Sequence, residues 1–163
     1  YEILKPFADV TNLTEEDFVD WGNADNYVKA VGVGECAGVV IDLVATLLLE
    51  AKDKLTYAQE SFAEGKWSDA VYHAYAGFVN GAKAILLSED QKTNHHAGII
   101  NLFDIVFVDT NKIVLNSTFA DLVYQINQNQ PTEEFAKKYI QEATDFFVNI
   151  ENYRIKDLAN EIS

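Results

Sequence analysis

Apolar residues recur along this chain every three or four positions, and no segment alternates apolar with polar over the length a strand needs. From about Gly38 to Ala63, the positions Val40, Leu43, Val44, Leu47, Ala51, Leu55, Ala58 and Phe62 fall on one face of a long helix. Gly65 stands where that helix must stop, since glycine takes the left-handed backbone of a helix end without steric cost. The pattern predicts a second helix over 67–88, with Val71, Ala74, Phe78, Ala82 and Ile85 inward. A polar loop follows at 89–94. A third helix is expected over 94–108 (Ile99, Leu102, Phe103, Val106) and a fourth, shorter one over 117–128 (Phe119, Leu122, Val123, Ile126). Thr132, just after Pro131, caps a last helix over 133–159 that turns Phe135, Tyr139, Ala143, Phe146, Ile150 and Tyr153 inward.

These elements predict an all-α antiparallel bundle over 38–163, with four core helices and one short one. Connections this short favour antiparallel neighbours. Residues 1–37 read as an irregular N-terminal arm or linker. Thr14, followed by Glu15, Glu16 and Asp17, caps a short helix toward Trp21, and Gly32-Val33-Gly34 breaks the arm. Gly77 and Gly81 lie four apart inside the second helix, where each costs about 1 kcal/mol relative to alanine. Another helix is expected to approach closely there, from the same chain or from a second copy.

Charge narrows the partners. With 12 basic and 26 acidic residues the formal net charge is −14, and the single arginine is Arg154. A protein that binds nucleic acid needs clustered Lys and Arg to displace phosphate counterions, so this balance disfavours nucleic acid. Cys36 is the only cysteine, which rules out an internal disulfide and suits a reducing, cytoplasmic setting. The longest apolar stretch, Val39–Leu49, is interrupted by Asp42 and falls short of the roughly 20 residues of a membrane span. No membrane partner is expected.

The stretch Gly65-Lys66-Trp67-Ser68-Asp69-Ala70-Val71-Tyr72-His73-Ala74-Tyr75 leads into Gly81-Ala82-Lys83-Ala84-Ile85-Leu86-Leu87. A histidine pair, His95-His96, then opens the next helix, and Phe135-Ala136-Lys137-Lys138-Tyr139-Ile140 lies in the last one. In order and spacing this resembles the HEPN family of helical domains over about residues 40–157. The resemblance implies a helical bundle that often dimerises through its second and third helices. Many members are ribonucleases with an Arg four to six residues before a catalytic His. Here no arginine precedes His95 or His96. Lys92 is nearest, and a lysine point charge does not replace the bidentate arginine fork. The ribonuclease mechanism is therefore not carried over, and the histidines are expected to cap the helix start.

Other clusters were weighed on their chemistry. Asp69 and His73 share a helix face and suggest an Asp–His hydrogen bond in preference to a metal site; no metal is expected. Gly32-x-Gly34 lacks the strand that a dinucleotide loop requires. Cys36 reads as a small buried hydrophobe. Tyr72 and Tyr75 are expected in the bundle core with their hydroxyls on polar partners, and Lys83 beside them snorkelling or paired with a carboxylate. The candidate ligand or interaction residues are His95, His96, Lys92, His73, Tyr72, Tyr75 and Lys83, with no catalytic residue assigned.

A fainter resemblance covers residues 18–38, where Trp21-Gly22-Asn23-Ala24-Asp25-Asn26-Tyr27 is similar to the extension that joins bacterial sulfite/nitrite reductase-like proteins to a C-terminal HEPN-like domain. It implies that siroheme and an iron–sulfur cluster would lie in a part absent here, since one cysteine does not hold a cluster. No cofactor is expected in this chain. Tyr1 as first residue and the absence of methionine add the expectation of a piece cut from a larger bacterial protein. The leading expectation for function is a non-catalytic interaction or regulatory module. Its partner would be the rest of its own polypeptide or a second copy. The alternative is a nucleotide-binding or degenerate ribonuclease-type domain using the His95/His96 region.

Overall fold

A computed structural model describes the backbone of residues 33–162 and the side chains of residues 43–160. The short helix expected near Trp21 and the reductase-like segment up to Gly32 lie outside the described residues. Every regular element among those described is helical: α1 (Val33–Ala63), α2 (Trp67–Leu87), α3 (His96–Phe103), α4 (Phe119–Tyr124) and α5 (Glu133–Ile162). α3 continues as a π-helical turn over Asp104–Val108, and α4 as a 3-10 turn over Gln125–Asn127. α1 begins five residues before the expected Gly38, so Gly34 is helical and does not break the chain.

The caps follow the sequence signals. Gly65 has φ +77°. Its amide donates to the Phe62 carbonyl (3.0 Å), and the Lys66 amide donates to that of Ser61 (2.9 Å). These two bonds satisfy the end of α1 as a Schellman motif. Thr132 Oγ1 accepts from the Phe135 amide at 3.1 Å and Thr118 Oγ1 from that of Asp121 at 3.0 Å, opening α5 and α4.

Residues from Val44 onward form one compact unit. α1 runs antiparallel to α2, since Phe62 meets Trp67 at one end while Ala51 lies against Gly81 at the other. α4 runs antiparallel to α5. Gln125 bonds Glu142 and Lys138, and Phe119 stacks on Phe146. The segment after α2 returns along the bundle, so α3 starts beside Tyr75 while the turn after Val108 reaches the far end of α2, where Lys112 pairs with Glu89 at 3.0 Å.

The two α2 glycines serve packing within the chain. A Cβ on Gly77 would stand 2.8 Å from Leu55 Cδ2 and 3.1 Å from its Cγ, and one on Gly81 would stand 2.9 Å from Ile150 Cδ1. α1 and α5 thus close on α2 at these positions. Val71, Ala74, Phe78, Ala82 and Ile85 are all buried, as their spacing predicts. The polar ties are few. Asp104, in the π turn, accepts from the amides of Phe119 (2.7 Å) and Ala120 (3.0 Å), fastening the end of α3 to the start of α4. Two of the amides that a helix start leaves open are satisfied in this way.

Two substitutions test this packing. Gly77→Val pushes methyls into Leu55 and is expected to destabilise by about 2 kcal/mol in urea unfolding, the usual cost of overpacking. Asp104→Ala removes the carboxylate under α4 and is expected to cost about 1–2 kcal/mol by the same measurement, the scale of a lost helix cap.

Candidate functional site

The return of the chain after α2 places the histidine pair. His95 occupies the N-cap position of α3 with extended backbone (φ −84°, ψ 130°), and His96 is the first helical residue. Neither imidazole caps the helix, contrary to expectation: the N-cap residue makes no side-chain bond to an α3 amide, and His96 turns to α2. There Tyr75 Oη and His96 Nδ1 are 3.0 Å apart. Their rings lie 5.6 Å apart at 53°. The first amide of α3 with a helical acceptor is that of Ile99, bonded to the His95 carbonyl at 2.8 Å. The amides of His96, Ala97 and Gly98 therefore lack intrahelical partners and face the helix start. Gly98 is needed here, because a Cβ would stand 2.9 Å from Thr93 Oγ1.

Tyr72 lies one turn before Tyr75 on α2 and is 62% exposed, so it is not the core tyrosine expected. A large flat ring exposed on the surface can stack on a planar group. Behind this face Tyr139 is fully buried and donates to the Val123 carbonyl at 2.6 Å. Burial, followed by the neighbouring Tyr124 and Tyr72, pushes the Tyr75 phenol up from its ordinary value. Burial likewise pushes Tyr139 well above the usual phenol range.

His73 meets this face through the Tyr72 ring. His73 makes no hydrogen bond to Asp69, against expectation. Its buried Nδ1 has no partner, and its ring packs edge-on against Tyr57 (5.7 Å) and Tyr72 (5.9 Å). Packing between two tyrosines, not polar pairing, sets its position. Lys83 is half-buried about 12 Å further along α2 than Tyr75. Lys92 is exposed in the return segment. Among the described residues no three His, Cys, Asp or Glu side chains converge on a metal position, and no helix is long and apolar enough to cross a membrane.

Arg154 is buried near the end of α5, 3.4 Å from Asp157. Its neighbour Tyr153 bonds Glu89, beyond the end of α2, which lies about 18 Å along the helix axis from Tyr75. The one arginine therefore lies toward the C-terminal end of α2, whereas His96 meets Tyr75 near its middle. A groove of about 450 Å³ lies elsewhere, over α4 and α5. It holds Asp121, Glu142 and Asp145 and no histidine. Three carboxylates there repel an anion.

Residues 44–156 match the model of the HEPN domain. This chain belongs to the HEPN family. The HEPN domain is also 31% identical over 126 residues to a protein of Methanocaldococcus jannaschii described as a putative toxin, an alignment covering 73% of this chain and 90% of that protein. No solved structure matches. The match begins at Val44, so it does not reach residues 18–38, on which the reductase-like resemblance rests. Sequence reasoning missed the Tyr75–His96 pair, although it had listed both residues. Their separation of 21 positions spans a loop whose return path no periodicity encodes.

Alkaline pH tests the buried phenols of this HEPN domain. Burial and then the adjoining Glu89 carboxylate push Tyr153 up to about 12. A phenol kept neutral by folding stabilises fully below its unfolded value of about 10, and that contribution is lost as pH rises through the folded value. Thermal melts should therefore show Tm falling above about pH 10. In Tyr153→Phe the fall up to about pH 12 should be smaller.

Proposed function

We propose that this HEPN domain recognises a nucleotidyl ligand, a nucleotide or a short single-stranded RNA, at the face formed by Tyr72, Tyr75, His95 and His96. The observation that carries the reading is the Tyr75–His96 pair, set at an exposed helix start whose first amides lack intrahelical partners. Such a start attracts phosphate oxygens, because its amides and the helix dipole both favour negative charge. Tyr72 offers a ring for a base, and base–aromatic stacking contributes about 1–3 kcal/mol. Recognition without rapid turnover is the expected activity. Phosphoryl transfer needs positive charge aimed at the developing anion, and the only arginine is committed at the far end of α2.

The similarity to a relative described as a putative toxin favours a second reading, RNA cleavage with His95 or His96 as acid or base. One set of measurements separates the two. Isothermal titration with AMP and with a short single-stranded RNA should show binding to the wild type and about tenfold weaker binding to His96→Ala, a loss of about 1.4 kcal/mol. Gel assays of the same RNA should show no cleavage. Cleavage by the wild type that is lost in His96→Ala establishes the second reading. Absence of binding to either ligand, or equal binding by all variants, removes the nucleotidyl reading.

A further inference from the structure

We infer that Tyr75 is a positioning residue. Its hydroxyl donates to His96 Nδ1 and holds the neutral imidazole with its proton on Nε2, so that His96 meets a ligand as a hydrogen-bond donor and not as a base. The inference rests on the nucleotidyl reading only for the acceptor, a phosphate oxygen. The tautomer follows from the pair itself.

A phenol carries one O–H that must find an acceptor, and Tyr75 is half-buried. Nδ1 of His96, at 3.0 Å, is its one hydrogen-bond partner among the described residues. In the opposite arrangement Nδ1–H would donate to the phenol oxygen, and the Tyr75 proton would be left to solvent with no protein acceptor. The direction Tyr→His satisfies both groups. An imidazole whose Nδ1 accepts carries its proton on Nε2.

The ring is held at two points, by this bond and by the tilted contact with the Tyr75 ring at 5.6 Å. Its backbone place at the first helical position sets the ring at the start of α3, on the side of α2. An Nε2–H there adds one more donor at a helix start whose first amides are also donors. All suit an oxygen-rich anion, and none removes a proton. A base at this face falls to His95, whose side chain makes no hydrogen bond to the helix.

Nitrogen NMR of the ¹⁵N-labelled chain, recorded over a pH series, reads the tautomer of the neutral ring directly. The chain has three histidines, so substitution of each assigns the three rings. The expected spectrum shows His96 with Nδ1 at the unprotonated position and Nε2 at the protonated one. Tyr75→Phe keeps the ring but not the hydroxyl, and should move both resonances toward each other as the tautomers mix. AMP binding should weaken about threefold to tenfold in the same variant, the scale of one hydrogen bond. A wild-type His96 protonated at Nδ1, or a His96 spectrum unchanged by Tyr75→Phe, overturns the inference. Should Tyr75→Phe fail to fold, the wild-type spectrum alone decides between the tautomers. The expected spectrum without AMP binding supports the role of Tyr75 and sinks the nucleotidyl reading, so the two fail separately.

Discussion

Four phenylalanines, one from each of α2 to α5, meet at the centre of the bundle. Phe103 and Phe119 lie 4.5 Å apart between ring centroids, Phe119 and Phe146 4.8 Å, Phe103 and Phe146 5.2 Å, and Phe78 and Phe146 5.6 Å. Such pairs contribute about 0.5–1.5 kcal/mol each beyond the area they bury. Their larger effect is on geometry. α4 has only six residues, too few to be stable alone. It exists because Phe119 is locked among the other three rings and because Asp104 caps its first amides. The same ring cluster fixes how far α3 sits along α2. Tyr75 and His96 meet because Phe103 is already held by Phe119 and Phe146.

The candidate site depends on that register and on little else. Its polar groups lie at the surface, and their orientation comes from one hydrogen bond and one ring contact. The hydrophobic interior supplies the backing, since Tyr139 closes the space behind through its bond to Val123. This division, with a rigid aromatic interior and donors at a helix start, suits a recognition surface. Donors held by packing lose little freedom when a ligand arrives.

Charge sets the limit on what this surface does. The net charge of −14 opposes long polyanions at distance, whereas a helix start acts within its first turn. A short nucleotidyl group is therefore a better fit than a long duplex. Arg154 sharpens the point. It is buried against Asp157, toward the C-terminal end of α2 and away from Tyr75 and His96. Membership of the HEPN family thus brings the bundle, while the proposed recognition face is built from tyrosine and histidine.

Much of the fold was legible in the chain. The positions of α1, α2 and α5 follow from apolar residues at helical spacing, and their ends from Gly65, Thr132 and the turn residues, because burial and capping act within a few residues of each other. Leu55, Phe78, Tyr139 and Ile150 were placed inward on periodicity alone, and they are inward. Gly77 and Gly81 signalled a close approach, but only the packing of Leu55 and Ile150 shows that α1 and α5 make it. The candidate residues were legible as types, not as a site. Periodicity placed Tyr72 in the core, yet it stands exposed, because no helix among the described residues covers that stripe of α2. Spacing joined Asp69 to His73, which do not bond. The meeting of Tyr75 with His96 was decided by the tertiary structure, since it depends on a connecting segment that runs back along the bundle. A local pattern records which face of a helix is apolar; which helix covers it, and at what register, is set by side chains packing across distances that no local pattern spans.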